Sequence, residues 1–190
     1  MTEDKLTDAE KRTLLGLARQ ALEGGVLGQK LTPLDLQSLP PHLRECGASF
    51  VTLTINDSLR GCIGALDPCQ PLVEDVREHA IAAALQDFRF PVVCPDELLQ
   101  IKLEISRLTI PVELEYCSPK DLLAKLRPGI DGVVLRDGLC RATFLPQVWE
   151  KLPDPADFLD NLCYKMGATP DLWRKRHLDV LVYQVEEFHE

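Results

Sequence analysis

The sequence predicts an α+β fold in which a mostly antiparallel sheet packs against helices. Two tight hairpins and a strand of alternating apolar and polar residues indicate antiparallel pairing, and helical segments fall between the strands at irregular intervals. A doubly wound α/β fold would instead alternate strands and helices regularly. At 190 residues, with 45% hydrophobic and 27% charged residues, the chain has the size and composition of one globular domain.

The first two elements are a helix and a long irregular connection. Thr7 and Glu10 have the spacing of a capping box, apolar residues then keep helical spacing, and Gly24 favours an end to the helix. We therefore expect an N-terminal helix over about residues 7–23. Residues 24–47 are rich in glycine and proline, which indicates a long irregular connection with room for one short turn.

The first hairpin is the clearest local signal in the chain. Residues 50–55 are β-branched or aromatic apart from one leucine, and Asn56-Asp57 can adopt the positive φ angles of a type I′ turn. Residues 59–66 then return as the second strand. A helix over about residues 71–87 follows, and its many alanines imply a close approach to a sheet.

The second half of the chain supplies further strands and helices. The segment Arg89-Phe90-Pro91 breaks the preceding helix, Pro111 marks an edge or bend in a strand, and Asp137-Gly138 is typical of a hairpin turn. The expected elements are a strand over 101–115, a short helix over 122–126, a hairpin joining 133–135 to 139–144, a helix from 154 to about 167, and a final strand over 180–185.

The charge balance argues against nucleic-acid binding. The 21 Lys and Arg residues against 30 Asp and Glu residues give a formal net charge of −9, whereas proteins that neutralise many phosphates usually carry a basic surface. The densest basic run, Arg174-Lys175-Arg176, is flanked by Asp171 and Asp179. We therefore expect no nucleic-acid partner.

Cysteine usage indicates a reducing compartment. The chain has 7 cysteines, an odd number, without a Cys-x-x-Cys pair, and its 4 histidines lack the spacing of metal ligands. We expect neither a disulfide framework nor a metal or cofactor. Residues 1–5 lack the basic and apolar regions of a secretory signal, and no apolar stretch is long enough to span a membrane. The expected location is the cytoplasm, without a membrane partner.

The segment Leu59-Arg60-Gly61-Cys62-Ile63-Gly64 is the first candidate site. Glycine inside a strand often marks a bulge or a close approach of a ligand or another backbone, and here two glycines flank a thiol. On a regular strand Arg60 and Cys62 point to the same face, where the guanidinium would favour the thiolate. The alternative is a bulged strand with Cys62 packed in the core and Arg60 paired to a carboxylate.

The segment Asp87-Phe88-Arg89-Phe90-Pro91 is the second candidate site. It places an acid, a base and two aromatic rings at the predicted end of a helix. Its functional interpretation is that Arg89 joins Arg60 as a clamp for an anion. Its structural alternative is a helix stop with hydrophobic anchors.

The order of these motifs resembles the AMMECR1 domain family, also called protein A of the AmmeMemoRadiSam system. The resemblance spans nearly all of residues 7–190, and its most specific part is L-R-G-C-I-G followed further on by R-F-P. Met166 and Asp57-Ser58 depart from the family pattern and affect only packing and turn type. The matching runs are Phe50-Val51-Thr52-Leu53, residues 59–64, Ala82-Ala83-Ala84, Arg89-Phe90-Pro91, Glu97-Leu98, Glu104-Ile105-Ser106, residues 144–148, Phe158-Leu159, Leu162, Lys165-Met166-Gly167 and Trp173.

The resemblance implies a single domain over residues 1–190, in which a larger and a smaller subdomain are intertwined around a cleft. It implies no established reaction. It directs attention to Arg60, Gly61, Cys62 and Gly64 and, with less force, to Arg89. It also implies that the chain acts in a pathway with a Memo-like protein and a radical SAM enzyme.

Two functions are compatible with these residues. An enzyme or enzyme component would use Cys62 as catalytic nucleophile or substrate-tethering thiol, with Arg60 and Arg89 binding a small anionic ligand and Gly61 and Gly64 admitting it. No histidine neighbours Cys62 in the sequence, so the general base is not identified. A non-catalytic module would instead use the Arg60–Gly64 surface to bind a protein partner. The sequence leaves the choice between enzyme and binding module open, and it names no substrate.

Overall fold

The structure, a computed structural model, describes residues 5–190 and has the α+β fold that the sequence predicts. The described chain contains six α-helices and nine strands, which form two sheets. It divides into two compact units: unit 1 comprises the chain up to Thr109 together with Glu186–Glu190, and unit 2 comprises Ile110–Val185. Residues 1–4, on which most of the argument about a secretory signal rests, lie outside the described residues. No helix within residues 5–190 is both long and apolar enough to cross a membrane.

The first helix, α1 (Asp8–Val26), begins as predicted and ends slightly later. The Glu10 backbone N–H donates to the Thr7 hydroxyl at 3.3 Å, and the Thr7 N–H donates to the Glu10 carboxylate at 2.8 Å, which completes the capping box. The helix continues through Gly24, where a Cβ would come within 2.8 Å of the Leu31 side chain. Gly24 therefore serves close packing of the returning chain and does not end the helix.

Sheet 1 belongs to unit 1 and has the strand order β2-β1-β4-β9, with β3 paired to β1. Its strands are β1 (Cys46–Ile55), β2 (Ser58–Gly64), β3 (Gln70–Pro71), β4 (Lys102–Leu108) and β9 (Val185–His189). Strands β1 and β2 form the predicted hairpin, and Asn56 and Asp57 adopt φ angles of 51° and 59° in its turn. Strand β2 lies at one edge of this sheet.

Helices α1 and α3 (Leu72–Leu85) cover one face of sheet 1, and α2 (Pro41–Arg44) lies in the predicted loop. Four strand residues point to the helices and are buried: Val51, Leu53, Leu103 and Ile105. Their neighbours Thr52 and Glu104 are half-buried and, because successive side chains alternate, belong to the opposite face. The core of unit 1 therefore occupies the helical side of the sheet.

Sheet 2 belongs to unit 2 and has the strand order β5-β8-β6-β7. Its strands are β5 (Val112–Glu113), β6 (Gly132–Asp137), β7 (Cys140–Phe144) and β8 (Asp179–Tyr183). The helices of this unit are α4 (Pro119–Lys125), α5 (Pro155–Lys165) and α6 (Leu172–Lys175). In the core of the unit, the Trp149 and Phe158 rings stack with their centroids 3.7 Å apart. Strands β6 and β7 form the second predicted hairpin.

Two predicted strands are divided in the structure. The expected strand over 101–115 is interrupted between β4 and β5, where Pro111 has no N–H to donate to a strand ladder. The expected final strand over 180–185 ends at Tyr183, and after Gln184 the chain continues as β9 in the other sheet. The alternation of residues does not reveal such a change of sheet, since both halves repeat with the same period of two.

Candidate functional site

Cys62 lies on the edge strand β2, on the face of sheet 1 opposite to α3. It pairs with Thr52 on β1, and the Thr52 hydroxyl donates a hydrogen bond to the Cys62 sulfur at 3.4 Å. The adjacent Gly61 faces α3, because a Cβ there would meet the carbonyl oxygen of Ala83. The Cys62 side chain is half-buried and free of any disulfide. The thiol therefore lies outside the packed core of unit 1.

The backbone of Cys62 is held at the outer edge of the sheet by the pair Asp87 and Arg89. The Cys62 N–H donates to Asp87 Oδ2 at 2.8 Å, and Arg89 Nη2 donates to the Cys62 carbonyl at 3.1 Å. The Asp87 carboxylate thus replaces the carbonyl acceptor, and the Arg89 guanidinium replaces the N–H donor, that a neighbouring strand would provide. This arrangement closes the edge of the sheet at the candidate thiol and fixes its position.

Asp87 and Arg89 form a tight ion pair beside the thiol. Arg89 Nε and Nη2 donate to the two carboxylate oxygens at 2.9 and 2.6 Å. These bonds hold the pKa of Asp87 well below its usual range, against the opposing effect of burial. The pKa of Arg89 is raised, chiefly by Asp87 and to a smaller extent by the nearby Cys62 side chain. Arg89, and not Arg60, is therefore the arginine that binds Cys62, through its backbone carbonyl.

Arg60 points to Glu97 and not along the face of Cys62, because β2 is bulged and not regular at this residue. Leu53 pairs with Gly61 and Thr54 pairs with Leu59, which leaves Arg60 as the extra residue. Its Nε and Nη2 bind the two carboxylate oxygens of Glu97 at 2.7 and 3.0 Å. Arg60 thus has the carboxylate partner that the structural alternative foresaw, and its role in ligand binding stays a prediction.

The remaining Arg60 bonds anchor the loop that follows α3. Nη1 donates to the Pro91 carbonyl at 2.8 Å, and Nη2 donates to the Val92 carbonyl at 3.2 Å. Every nitrogen of this guanidinium therefore has an acceptor within the chain. The hydrogen bonds from Arg60 to the Glu97 carboxylate are the largest cause of the low pKa of Glu97, and the Cys94 N–H lowers it further.

Gly61 and Gly64 each have a packing role. A Cβ at Gly61 would lie 2.2 Å from the carbonyl oxygen of Ala83 on α3. A Cβ at Gly64 would lie 2.4 Å from both the Ser49 carbonyl oxygen and the Phe50 ring. Neighbouring atoms of the chain itself account for both glycines, so neither position needs a ligand to explain it. The predicted role of Gly61 and Gly64 in admitting a ligand stays a prediction, which these contacts do not support.

Glu104, which its position in the sequence does not single out, lies in the same row as Cys62 through the strand register. It pairs with Thr52 from β4, as Cys62 pairs with Thr52 from β2, so the three side chains form a row on one face. Burial raises the pKa of Glu104, the nearby Glu187 raises it further, and His189 opposes them. The alternation in β4 placed Glu104 opposite to the core, but only the register placed it near Cys62.

A second polar cluster lies inside unit 1, between β1 and α3. The Ser49 hydroxyl donates to Asp75 Oδ2 at 2.6 Å, and His79 Nδ1 lies 3.2 Å from the same oxygen. All three residues are buried. This network satisfies buried polar groups in the core, because the Ser49 and His79 side chains both contact the Asp75 carboxylate that lies between them. Within residues 5–190, no group of three or more His, Cys, Asp or Glu side chains has the arrangement of a metal site.

Comparison with known proteins finds relatives over nearly the whole chain. A family model described as AMMECR1 matches residues 15–188. A protein of Methanothermobacter thermautotrophicus is 41% identical over 186 residues, which cover 97% of this chain and 96% of that protein. A protein of Methanopyrus kandleri is 38% identical over 193 residues, covering 98% and 91%. The crystal structure of an uncharacterized protein from Pyrococcus horikoshii matches with a TM-score of 0.82 at 34% identity, covering 97% of this chain and 93% of that one.

Proposed function

The chain belongs to the AMMECR1 family, and from that premise we propose that its functional group is the Cys62 thiol, a nucleophile or tether for a small anionic ligand. One observation carries this proposal. The half-buried Cys62 thiol lies outside the core and accepts a hydrogen bond from the Thr52 hydroxyl, and Arg89 binds the carbonyl of the same residue.

The neighbours of Cys62 favour nucleophilic chemistry. The Thr52 hydroxyl donates to the sulfur and Arg89 donates to the carbonyl of the same residue, and the thiolate is the form of cysteine that attacks an electrophile. The backbone bonds to Asp87 and Arg89 hold the strand so that the sulfur keeps its position relative to these groups. Such support by surrounding hydrogen bonds is what a reactive group needs for a defined geometry.

Arg89 is the better candidate for the anion-binding residue of the two arginines. Its side chain is 48% exposed, and within residues 5–190 its Nη1 donates to no acceptor, because Asp87 and Cys62 engage only Nε and Nη2. Arg60 uses all three nitrogens and is more buried. A carboxylate or phosphate near the sulfur would therefore bind Nη1 of Arg89.

Competitive alkylation tests the thiol. We expect iodoacetate, an anion, to be favoured over neutral iodoacetamide at Cys62 more than at the exposed Cys69, measured by peptide mass spectrometry at about pH 8. Arg89→Gln should remove this preference, whereas Arg12→Gln on the exposed side of α1 should keep it. A Cys62 that stays unmodified while Cys69 reacts would contradict the proposal.

The proposal also includes the cellular location and the partners of the chain. We place the chain in the cytoplasm, in a pathway with a Memo-like protein and a radical SAM enzyme. The family resemblance supports the partners, and the seven free cysteines suit a reducing compartment. Co-purification of the three proteins from one cell extract tests the partnership, and separate elution of each protein would contradict it.

A second candidate function is binding of a protein partner through the Arg60–Gly64 surface. Three apolar side chains close to it are exposed: Phe88 by 95%, Val92 by 58% and Leu59 by 45%. Exposed apolar residues next to arginine are typical of interaction sites. Under this function Phe88→Ser weakens capture of the Memo-like protein, and Leu139→Ser, at a fully exposed position of unit 2, does not. Equal capture by both variants would rule out this surface.

A further inference from the structure

We infer that the ligand of the Cys62 site is zwitterionic, with an anionic group that binds Arg89 and a cationic group that binds Glu104. The inference rests on the proposed function of Cys62 and names the class of its ligand. It follows from the arrangement of opposite charges on the two sides of the thiol.

The first step is the row of side chains across sheet 1. Cys62 on β2, Thr52 on β1 and Glu104 on β4 are paired in register, so they lie side by side on the face opposite to α3. Neighbouring strands are about 4.8 Å apart, which places the Glu104 backbone about 10 Å from that of Cys62. Arg89 lies on the other side of Cys62, beyond the edge of the sheet. The thiol therefore lies between the Asp87–Arg89 ion pair, whose Arg89 Nη1 is not used by Asp87, and the Glu104 carboxylate.

The second step is the state of the Glu104 carboxylate. Within residues 5–190, no hydrogen bond or ion pair holds it, in contrast to Asp87 and Glu97, which each bind an arginine. It is half-buried, and burial together with Glu187 raises its pKa, against the smaller effect of His189. A desolvated carboxylate without a compensating cation is a favourable place for an ammonium group.

The third step concerns the charges around Glu104. Lys102, two residues away on the same strand, lies 3.6 Å from Asp57 in the hairpin turn, so its charge is directed to the turn. Glu187 on β9 adds negative potential to the Glu104 side of the row, and His189 reduces it. On the Arg89 side, Nη1 keeps its two donors for an anion. A ligand with one charge at each end matches both sides, whereas a simple anion matches only one.

Protection of Cys62 from iodoacetamide tests this inference at about pH 8, where carboxylates are ionised. The probes are ω-amino acids of increasing length, from 4-aminobutyrate to 8-aminooctanoate. The carboxylates and amines with the same carbon chains serve as singly charged references. We expect one member of the series to protect Cys62 at a concentration about three- to tenfold lower than either reference, because two charge contacts replace one.

Glu104→Gln is the decisive variant, since it removes the charge and keeps the shape of the side chain. It should abolish the advantage of the amino acid over the matching carboxylate. The control Glu45→Gln, at an exposed carboxylate that precedes β1, should preserve it. Equal protection by amino acid and carboxylate, no protection by any probe, or an advantage that survives in Glu104→Gln would each overturn the inference. An unreactive Cys62 would overturn the proposed function itself.

Discussion

Asp87 in unit 1 and Asp131 in unit 2 form ion pairs of nearly the same local geometry. Each carboxylate is about 2% exposed and accepts bonds from the backbone N–H, Nε and Nη2 of one arginine. Arg89 makes these bonds at 3.2, 2.9 and 2.6 Å, and Arg127 makes them at 3.0, 3.1 and 2.6 Å. The two arginines are also similarly exposed, at 48% and 53%.

The two pairs differ in what else they bind. Asp87 and Arg89 together bind the N–H and the carbonyl of Cys62, a residue far away in the sequence. The Asp131 carboxylate binds Arg127 only four residues away, and its contact with a distant residue is through its backbone carbonyl, which accepts from Trp149 Nε1 at 2.7 Å. The same local ion pair therefore stabilises a turn in one unit and holds the strand of a candidate site in the other.

Removal of each aspartate is the strongest way to test this difference. Asp87→Ala and Asp131→Ala should each lower the free energy of unfolding by about 3 kcal/mol, at the low end for a broken buried pair because the arginines are half-exposed. Urea denaturation measures this loss. Only Asp87→Ala should also change the rate of Cys62 alkylation in the folded protein. If Asp131→Ala alters that rate equally, the functional distinction between the two pairs fails.

A substitution at Gly61 on β2 tests the packing of the strand on α3 separately from its edge contacts with Asp87 and Arg89. Gly61→Ala should cost about 2 kcal/mol, since its Cβ would lie 2.2 Å from the Ala83 carbonyl oxygen and force the helix and strand apart. Gly16→Ala, at a helical position with nothing within 4 Å, should stabilise the protein slightly. Thermal or urea unfolding measures both. A neutral Gly61→Ala would show that α3 does not constrain the strand.

Acid should weaken the Asp87 pair in a predictable direction. The folded pKa of Asp87 is below its unfolded value of about 4. Its contribution to stability is therefore present above about pH 4 and decreases as the pH falls through the folded pKa. The stability difference between the wild type and Asp87→Asn should shrink by about 1 kcal/mol between about pH 6 and pH 3, as followed by urea denaturation. A constant difference would show that the charge of Asp87 does not stabilise the fold.

Much of the fold could be predicted because its signals are local. The capping box at Thr7 and Glu10, the positive-φ turn at Asn56 and Asp57, and the period of each helix or strand depend on neighbouring residues alone. The sequence-based predictions are wrong at positions where contacts between residues far apart in the chain determine the structure. Helix α1 continues through Gly24, where the Leu31 side chain leaves no room for a Cβ, and β9 pairs with β4 in sheet 1 instead of extending β8.

The candidate site shows the same division. The sequence identified Cys62, Arg60 and Arg89 as its residues, because a thiol between two glycines and a basic helix end are visible without a structure. It assigned the wrong neighbour to the sulfur, since a single bulge directs Arg60 to Glu97 and leaves the place beside Cys62 to Arg89. The two glycines of the strand indicate that a bulge is possible, but they do not show which residue is the extra one, and that residue changes which side chains share a face.

By itself, the sequence determined the α+β class, most helices and strands, and the family to which the chain belongs. The tertiary structure alone decided which arginine accompanies the thiol, that Thr52 and Glu104 extend the site across the sheet, and that Gly61 and Gly64 fit neighbouring backbone and ring atoms. The physical reason is that propensity and capping act over a few residues. Register, strand edges and ion-pair partners are set by groups that meet only when the chain has folded.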